Sequence, residues 1–170
     1  MRRVLTCHPA TPCPAVEAIE TEAVRATGSA LALRYRLAGA LGALVVPPPA
    51  RPARADGLWE HTCFEAFVSF GGDGYLEFNV APSGRWAAYR FDGYRQGMAP
   101  LEIDPPRIEV ETGAGELDVR VALDLPSEGP VRIGLTAVIE AADGGLSYWA
   151  LAHPPGRPDF HRAETRVLAL

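Results

Sequence analysis

The sequence predicts an all-β protein folded as one antiparallel β-sandwich, and three observations carry that expectation. Sixteen Pro and 17 Gly are scattered through 170 residues and punctuate short apolar runs, as in a chain of many short strands. Turn chemistry is explicit at Gly71-Gly72-Asp73-Gly74, Pro82-Ser83-Gly84, Gly113-Ala114-Gly115 and Asp143-Gly144-Gly145. No repeat, linker or low-complexity tail divides the chain, so residues 1–170 read as a single domain.

Taken in order, the candidate strands are Val4–Cys7, Val16–Ala26, Ala30–Leu37, Leu44–Val46, Trp59–Phe70, Tyr75–Ala81, Trp86–Phe91, Arg107–Thr112, Leu117–Leu123, Val131–Glu140 and Leu146–Ala150. In the second, Glu17, Glu20 and Glu22 would also suit a helix, but Thr21, Val24 and Thr27 favour a strand. Between Pro47 and Arg54 three consecutive Pro cannot donate to a ladder, which makes an irregular connection. Short loops join the three central strands, so they form an antiparallel meander.

Composition excludes several function classes. The formal net charge is -5 and all 16 basic residues are Arg. A chain without Lys cannot form a Schiff base, and an acidic balance disfavours nucleic acid as a partner. No stretch has the apolar length to cross a bilayer, so a membrane is not an expected partner either. Pro9, Pro12 and Pro14 cut off the short Val4-Leu5 run behind Arg2 and Arg3. A secretory signal is therefore not expected, and the expected compartment is the cytoplasm, where Cys7, Cys13 and Cys63 are thiols.

Alternation splits each central strand into two faces. Phe64, Ala66, Val68, Leu76, Phe78, Val80, Tyr89 and Phe91 are expected in the core. Trp59, His61, Cys63, Glu65, Tyr75, Glu77, Asn79, Trp86 and Arg90 are then expected together on the outer side. Large aromatics among convergent hydrogen-bonding groups suit a ligand with apolar patches and many hydroxyls. Coverage by a second subunit is the alternative use of such a face, which makes a homodimer the competing expectation.

The block Leu58–Phe67 (LWEHTCFEAF), followed by Tyr75–Tyr94 (YLEFNVAPSGRWAAYRFDGY), resembles the bacterial DOMON-like domain proteins and, more distantly, the family 9 carbohydrate-binding modules. Tyr148–His161 (YWALAHPPGRPDFH) fits the same DOMON-like pattern. The resemblance implies a jelly-roll-like sandwich that binds a small molecule, with sugars and haem as ligand classes. It implies Trp59 and Trp149 as an aromatic pair around a sugar ring, Glu65 and Arg90 as a hydroxyl clamp, and Asn79 as a further donor and acceptor. His61-Thr62-Cys63 departs from the carbohydrate modules. The sequence therefore leads to a carbohydrate-binding module that is not an enzyme, with Trp59, His61, Glu65, Glu77, Asn79, Trp86, Arg90 and Trp149 as its binding residues.

Other chemistries fit less well. His61, Cys63, Glu65 and Glu77 include metal-ligand types, but same-side neighbours on a strand stand about 7 Å apart, too far to converge on zinc without a bulge. No metal is expected. Haem as a cofactor would need an axial ligand from His61, His153, His161 or Met98, and no C-x-x-C-H attachment motif is present. Glu65 and Glu77 form a candidate glycosidase pair, against which an ion pair of Glu65 with Arg90 is expected to keep Glu65 ionised. The Pro-rich segment His153–His161 is expected to cap the sandwich edge or to form a lid on the Trp149 side.

Overall fold

The computed structural model describes residues 2–26 and 28–170, and Thr27, one of the residues favouring a strand in the second run, lies outside them. Among the described residues there is no α-helix, and two antiparallel sheets form the molecule. The five-stranded sheet has the order β1 (Arg2–Val4), β3 (Val16–Arg25), β4 (Ala30–Gly39), β10 (Glu116–Asp124) and β9 (Arg107–Thr112). The larger sheet runs β2 (Thr6–Cys7), β12 (Leu146–Ala150), β11 (Arg132–Glu140), β5 (Cys63–Ser69), β6 (Tyr75–Val80), β7 (Trp86–Phe91) and β8 (Ala99–Pro100), while β13 (Leu168–Ala169) also pairs with β11. The expected all-β sandwich is the observed fold.

The core lies between the sheets. Ile19, Leu31, Leu33, Tyr35 and Leu37 from one sheet meet Phe64, Val68, Phe78, Ile133 and Leu135 from the other. Tyr35 is the large side chain with a polar end in this layer, and its hydroxyl donates to the Glu65 carbonyl at 2.6 Å. That bond removes the cost of burying a lone phenol. The outer side of the smaller sheet is a solvated charge ladder. Arg34 and Arg120 both reach Asp118, at 2.6 and 2.7 Å, and Arg36 reaches Glu116 at 2.8 Å. The two guanidiniums hold the Asp118 carboxyl below its ordinary range.

Several expectations change in detail. The Val4–Cys7 run splits: β1 joins one sheet and β2 the other, with Leu5 buried between them. Leu44–Val46 is not a strand; Leu44 makes one isolated bridge to Ala141 after a 3₁₀ turn. The Trp59–Phe70 run begins instead with a 3₁₀ turn, Leu58–Glu60, and the strand starts at Cys63. Gly57 enters that turn at φ 73°, a left-handed conformation that suits a residue without Cβ.

The larger difference is the face of β7. Register pairs Phe78 with Ala88 and Val80 with Trp86, so Trp86 and Ala88 enter the inter-sheet core. Ala87, Tyr89 and Phe91 lie on the outer face with Glu77 and Tyr75, the reverse of the sequence expectation. The physical reason is that both faces of this sheet are covered. Every residue of β5 is buried, and a strand buried on both sides carries no polar alternation to orient it.

Candidate functional site

The outer face of the larger sheet is roofed by the chain between His153 and Arg166. Gly134 on β11 makes this approach feasible, because a Cβ there would lie 2.8 Å from the Thr165 carbonyl oxygen. Two anchors tie this strap to the N-terminal edge. His8 Nε2 is 3.0 Å from the Gly156 carbonyl, and His153 Nε2 is 2.8 Å from that of Thr6. Arg166 lies 4.8 Å over the Tyr75 ring and donates to the His161 carbonyl. Phe160 packs on Phe67 and Tyr148, which gives the roof its own small apolar core.

Beneath the strap lies a cavity of about 340 Å³, at the lower end of the size range of small-molecule sites. Its floor carries Glu65 and Glu77, and Trp59, Phe91 and Tyr148 stand around it with Phe160 from the strap. Register makes Asn79 the direct cross-strand partner of Glu65, two residues on from Glu77 on the same face. Glu65 accepts from the Thr136 hydroxyl at 3.0 Å, and Glu77 accepts from Asn79 Nδ2 at 2.8 Å. Asn79 is fully buried, and its Oδ1 has no hydrogen-bond partner among the described residues.

Burial dominates the electrostatics of this floor. It pushes the Glu65 carboxyl up to about 8, with the neighbouring Glu77 charge adding to the rise and the Thr136 hydroxyl opposing it. Glu77 is raised by the same burial, against the Asn79 hydrogen bond and the Arg95 charge. At neutral pH the pair therefore retains a proton. His161, also in the lining, is pushed down to about 4 by burial and by Arg95, so it is a neutral imidazole at pH 7. The rim is an ion-pair cluster: Arg95 reaches Asp159 at 3.1 Å, and the Tyr94 hydroxyl donates to the same carboxylate at 2.6 Å. Arg95 stands at φ 54°, and its backbone N–H donates to the Tyr75 hydroxyl, which shares a 2.8 Å hydrogen bond with His161 Nδ1.

Of the residues expected from the sequence, Trp59, Glu65 and Glu77 line the cavity and Asn79 lies on the same sheet face. The others do not join them. Trp149 packs into the inter-sheet core opposite Ala137 and donates from Nε1 to the Ser147 hydroxyl, so the expected Trp59–Trp149 pair is not assembled. Trp86 is in that core too, under the Arg54 guanidinium at 4.6 Å. Arg90 projects from the interior-facing register at an exposed edge and pairs with Asp92 at 3.1 Å, leaving Glu65 without the expected clamp partner. His61 follows the 3₁₀ turn, is exposed, and pairs with Glu140 at 2.8 Å outside the cavity. Cys63 is enclosed next to the site, and burial raises its thiol well above its ordinary range.

Sequence reasoning passed over Arg95, Tyr148, Asp159 and Phe160. Asp159 and Phe160 fall within the Pro-rich segment His153–His161, where a run that cannot form ladder hydrogen bonds signals chain crossing a surface, while Tyr148 lies on strand β12 just before it. Arg95 follows the central block directly and carried no periodic signal.

No family model matches the chain, and no curated protein matches it. Among solved structures, a candidate carbohydrate-binding protein from Bacteroides uniformis ATCC 8492 superposes with a TM-score of 0.71 at 16% identity, over 97% of this chain and 83% of that one. A family 9 carbohydrate-binding module from Caldicellulosiruptor kristjanssonii, in complex with cellotriose, superposes with a TM-score of 0.55 at 10% identity, over 92% and 74% of the two chains. What this chain shares with both is the fold, the antiparallel β-sandwich.

Proposed function

We propose that this chain is a non-catalytic module that binds a carbohydrate or a sugar-like metabolite in the cavity beneath the strap. The observation that carries the reading is a cavity of about 340 Å³ that sets two carboxyl groups on its floor among aromatic walls. Aromatic faces pack on the C–H face of a sugar ring, and carboxyl and amide groups read its hydroxyls. The likeness in fold to a module seen with cellotriose, and to a candidate carbohydrate-binding protein, supports the reading. So does the resemblance of the central sequence block to DOMON-like proteins. A cytoplasmic site of action belongs to the same reading.

The test is calorimetric titration with glucose and cellotriose. Trp59→Ala is expected to weaken binding by about tenfold or more, the loss of one desolvated aromatic contact. Equal affinity of the variant and the parent would refute the site.

Two observations favour other readings. A proton-holding Glu65 beside Glu77 has the make-up of a glycosidase acid and its partner. Incubation of cellotriose with the protein, with no sugar released, is the expected outcome; release would establish catalysis. Met98 and His161 both line the cavity and are candidate haem ligands. A Soret shift on adding haem would identify that ligand instead.

A further inference from the structure

The carboxyl groups that line the cavity outnumber the cations that line it, and this bears on what the ligand carries. Three carboxyl groups, Glu65, Glu77 and Asp159, line it together with one guanidinium, Arg95. Arg95 is already committed to Asp159 at 3.1 Å, and Arg162 reaches the same carboxylate at 3.4 Å, so the rim is paired within itself. The imidazole nearest the floor, His161, has Nδ1 at 4.0 Å from Glu77 Oε2 but is neutral at pH 7. The other groups around the floor put no uncommitted cation on it, since Arg54 donates to the Ala88 and Leu101 carbonyls. Tyr75, Tyr89 and Cys63 are all pushed upward by burial and stay neutral. Arg166 is spent on the Tyr75 ring and the His161 carbonyl.

The hydrogen-bond inventory points the same way. Ionised carboxylates only accept, and Asn79 Oδ1, the orphan acceptor, sits between the two glutamates in register. Two lining carboxyl groups with an orphan acceptor beside them suit a group with several N–H donors. Trp59, Phe91, Tyr148 and Phe160 line the same space, and aromatic rings favour a cation over a neutral group.

We propose that the ligand of this cavity bears a protonated amino group, as an amino sugar does, and that this ammonium pairs with Glu65 and Glu77. The proposal rests on the sugar-binding reading and narrows its substrate class. The ammonium replaces the proton that the glutamate pair otherwise retains, so binding expels that proton to solvent and charge balances. A neutral hexose leaves the proton in place.

The experiment is calorimetric titration of the full chain at pH 6.5 with glucosamine, glucose and N-acetylglucosamine, and with ethanolamine as an amine without a sugar ring. Each titration is repeated in two buffers of different ionisation enthalpy. Glucosamine is expected to bind at least tenfold more tightly than glucose or N-acetylglucosamine, with proton release that the other two lack. Glu65→Gln and Glu77→Gln, checked for folding by circular dichroism, are expected to bring glucosamine down to the affinity of glucose. Glucose binding as tightly as glucosamine, with no proton released by either, overturns the amine and leaves the sugar reading standing. Ethanolamine binding as tightly as glucosamine, with no sugar selectivity, supports the amine and overturns the sugar reading. Failure of all four probes overturns both. The proton release is read on the unmodified protein, so the test does not depend on a variant folding.

Discussion

Replacing Glu65 by Gln should flatten the fall in stability as pH rises through neutrality. In the folded chain burial raises the Glu65 carboxyl from an ordinary 4.5 to about 8. Between those values the folded state holds a proton that the unfolded chain has lost, so stability falls as pH rises. Each pH unit is worth about 1.4 kcal/mol for one group. Below about pH 6.5 a second group opposes the fall. His161 is pushed down to about 4, so in that range the unfolded chain holds the extra proton, and this histidine adds stability as pH rises toward its ordinary value. The Glu65 effect is therefore unopposed between about pH 6.5 and 8, and it amounts to about 2 kcal/mol lost. Glu77, raised by the same burial, acts in the same direction.

Gln is neutral in both states and keeps the shape, so Glu65→Gln should flatten most of this fall and be the more stable protein at pH 8. Urea unfolding followed by Trp fluorescence at pH 6.5, 7, 7.5 and 8 measures it. A parent protein that is equally stable across that range, or a variant with the parent's slope, would refute the assignment of a proton to the buried pair.

Two further outcomes follow from the packing. Trp149→Ala should cost about 3–5 kcal/mol in the same unfolding assay, as for other large core aromatics, and should leave ligand affinity at 25 °C unchanged, because Trp149 faces the inter-sheet core. Gly134→Ala should lower stability by about 1–3 kcal/mol through overpacking, since its Cβ would press on the Thr165 carbonyl at 2.8 Å. It should also weaken ligand binding by lifting the strap, which titration calorimetry measures.

How much of this was legible in the sequence depended on whether a strand had one wet face. In β10 Leu117, Val119, Val121 and Leu123 alternate with charged or small residues, and all four are buried in the core. The central meander has no wet face. Glu65 and Glu77 could be placed together because a charge on a buried strand stands out, and cross-strand neighbours follow from the meander. Trp86 and Tyr89 could not be placed, since WAAYRF carries large aromatics on both sides, its one charge, Arg90, shares the interior register with Trp86, and that register comes from pairing with β6. Trp149 was assigned to the site by resemblance alone, and its position opposite Ala137 is set by pairing with β11. The strap residues were out of reach for a different reason. Their location comes from histidine-to-carbonyl contacts spanning more than a hundred residues, and no local pattern encodes such a contact.

That same closure orders events in time. The His8–Gly156 and His153–Thr6 contacts join positions 148 and 147 residues apart, among the most non-local in the chain. Non-local contacts form late in folding because the intervening chain must be ordered before they are rewarded. Apart from the β2–β12 pairing, which is about as non-local, the two sheets can thus exist before the cavity does. On the proposed reading the site forms only when the His153–Arg166 strap has folded back onto the β2 edge, and a nick in the strap is expected to abolish ligand binding while sparing the sandwich beneath it.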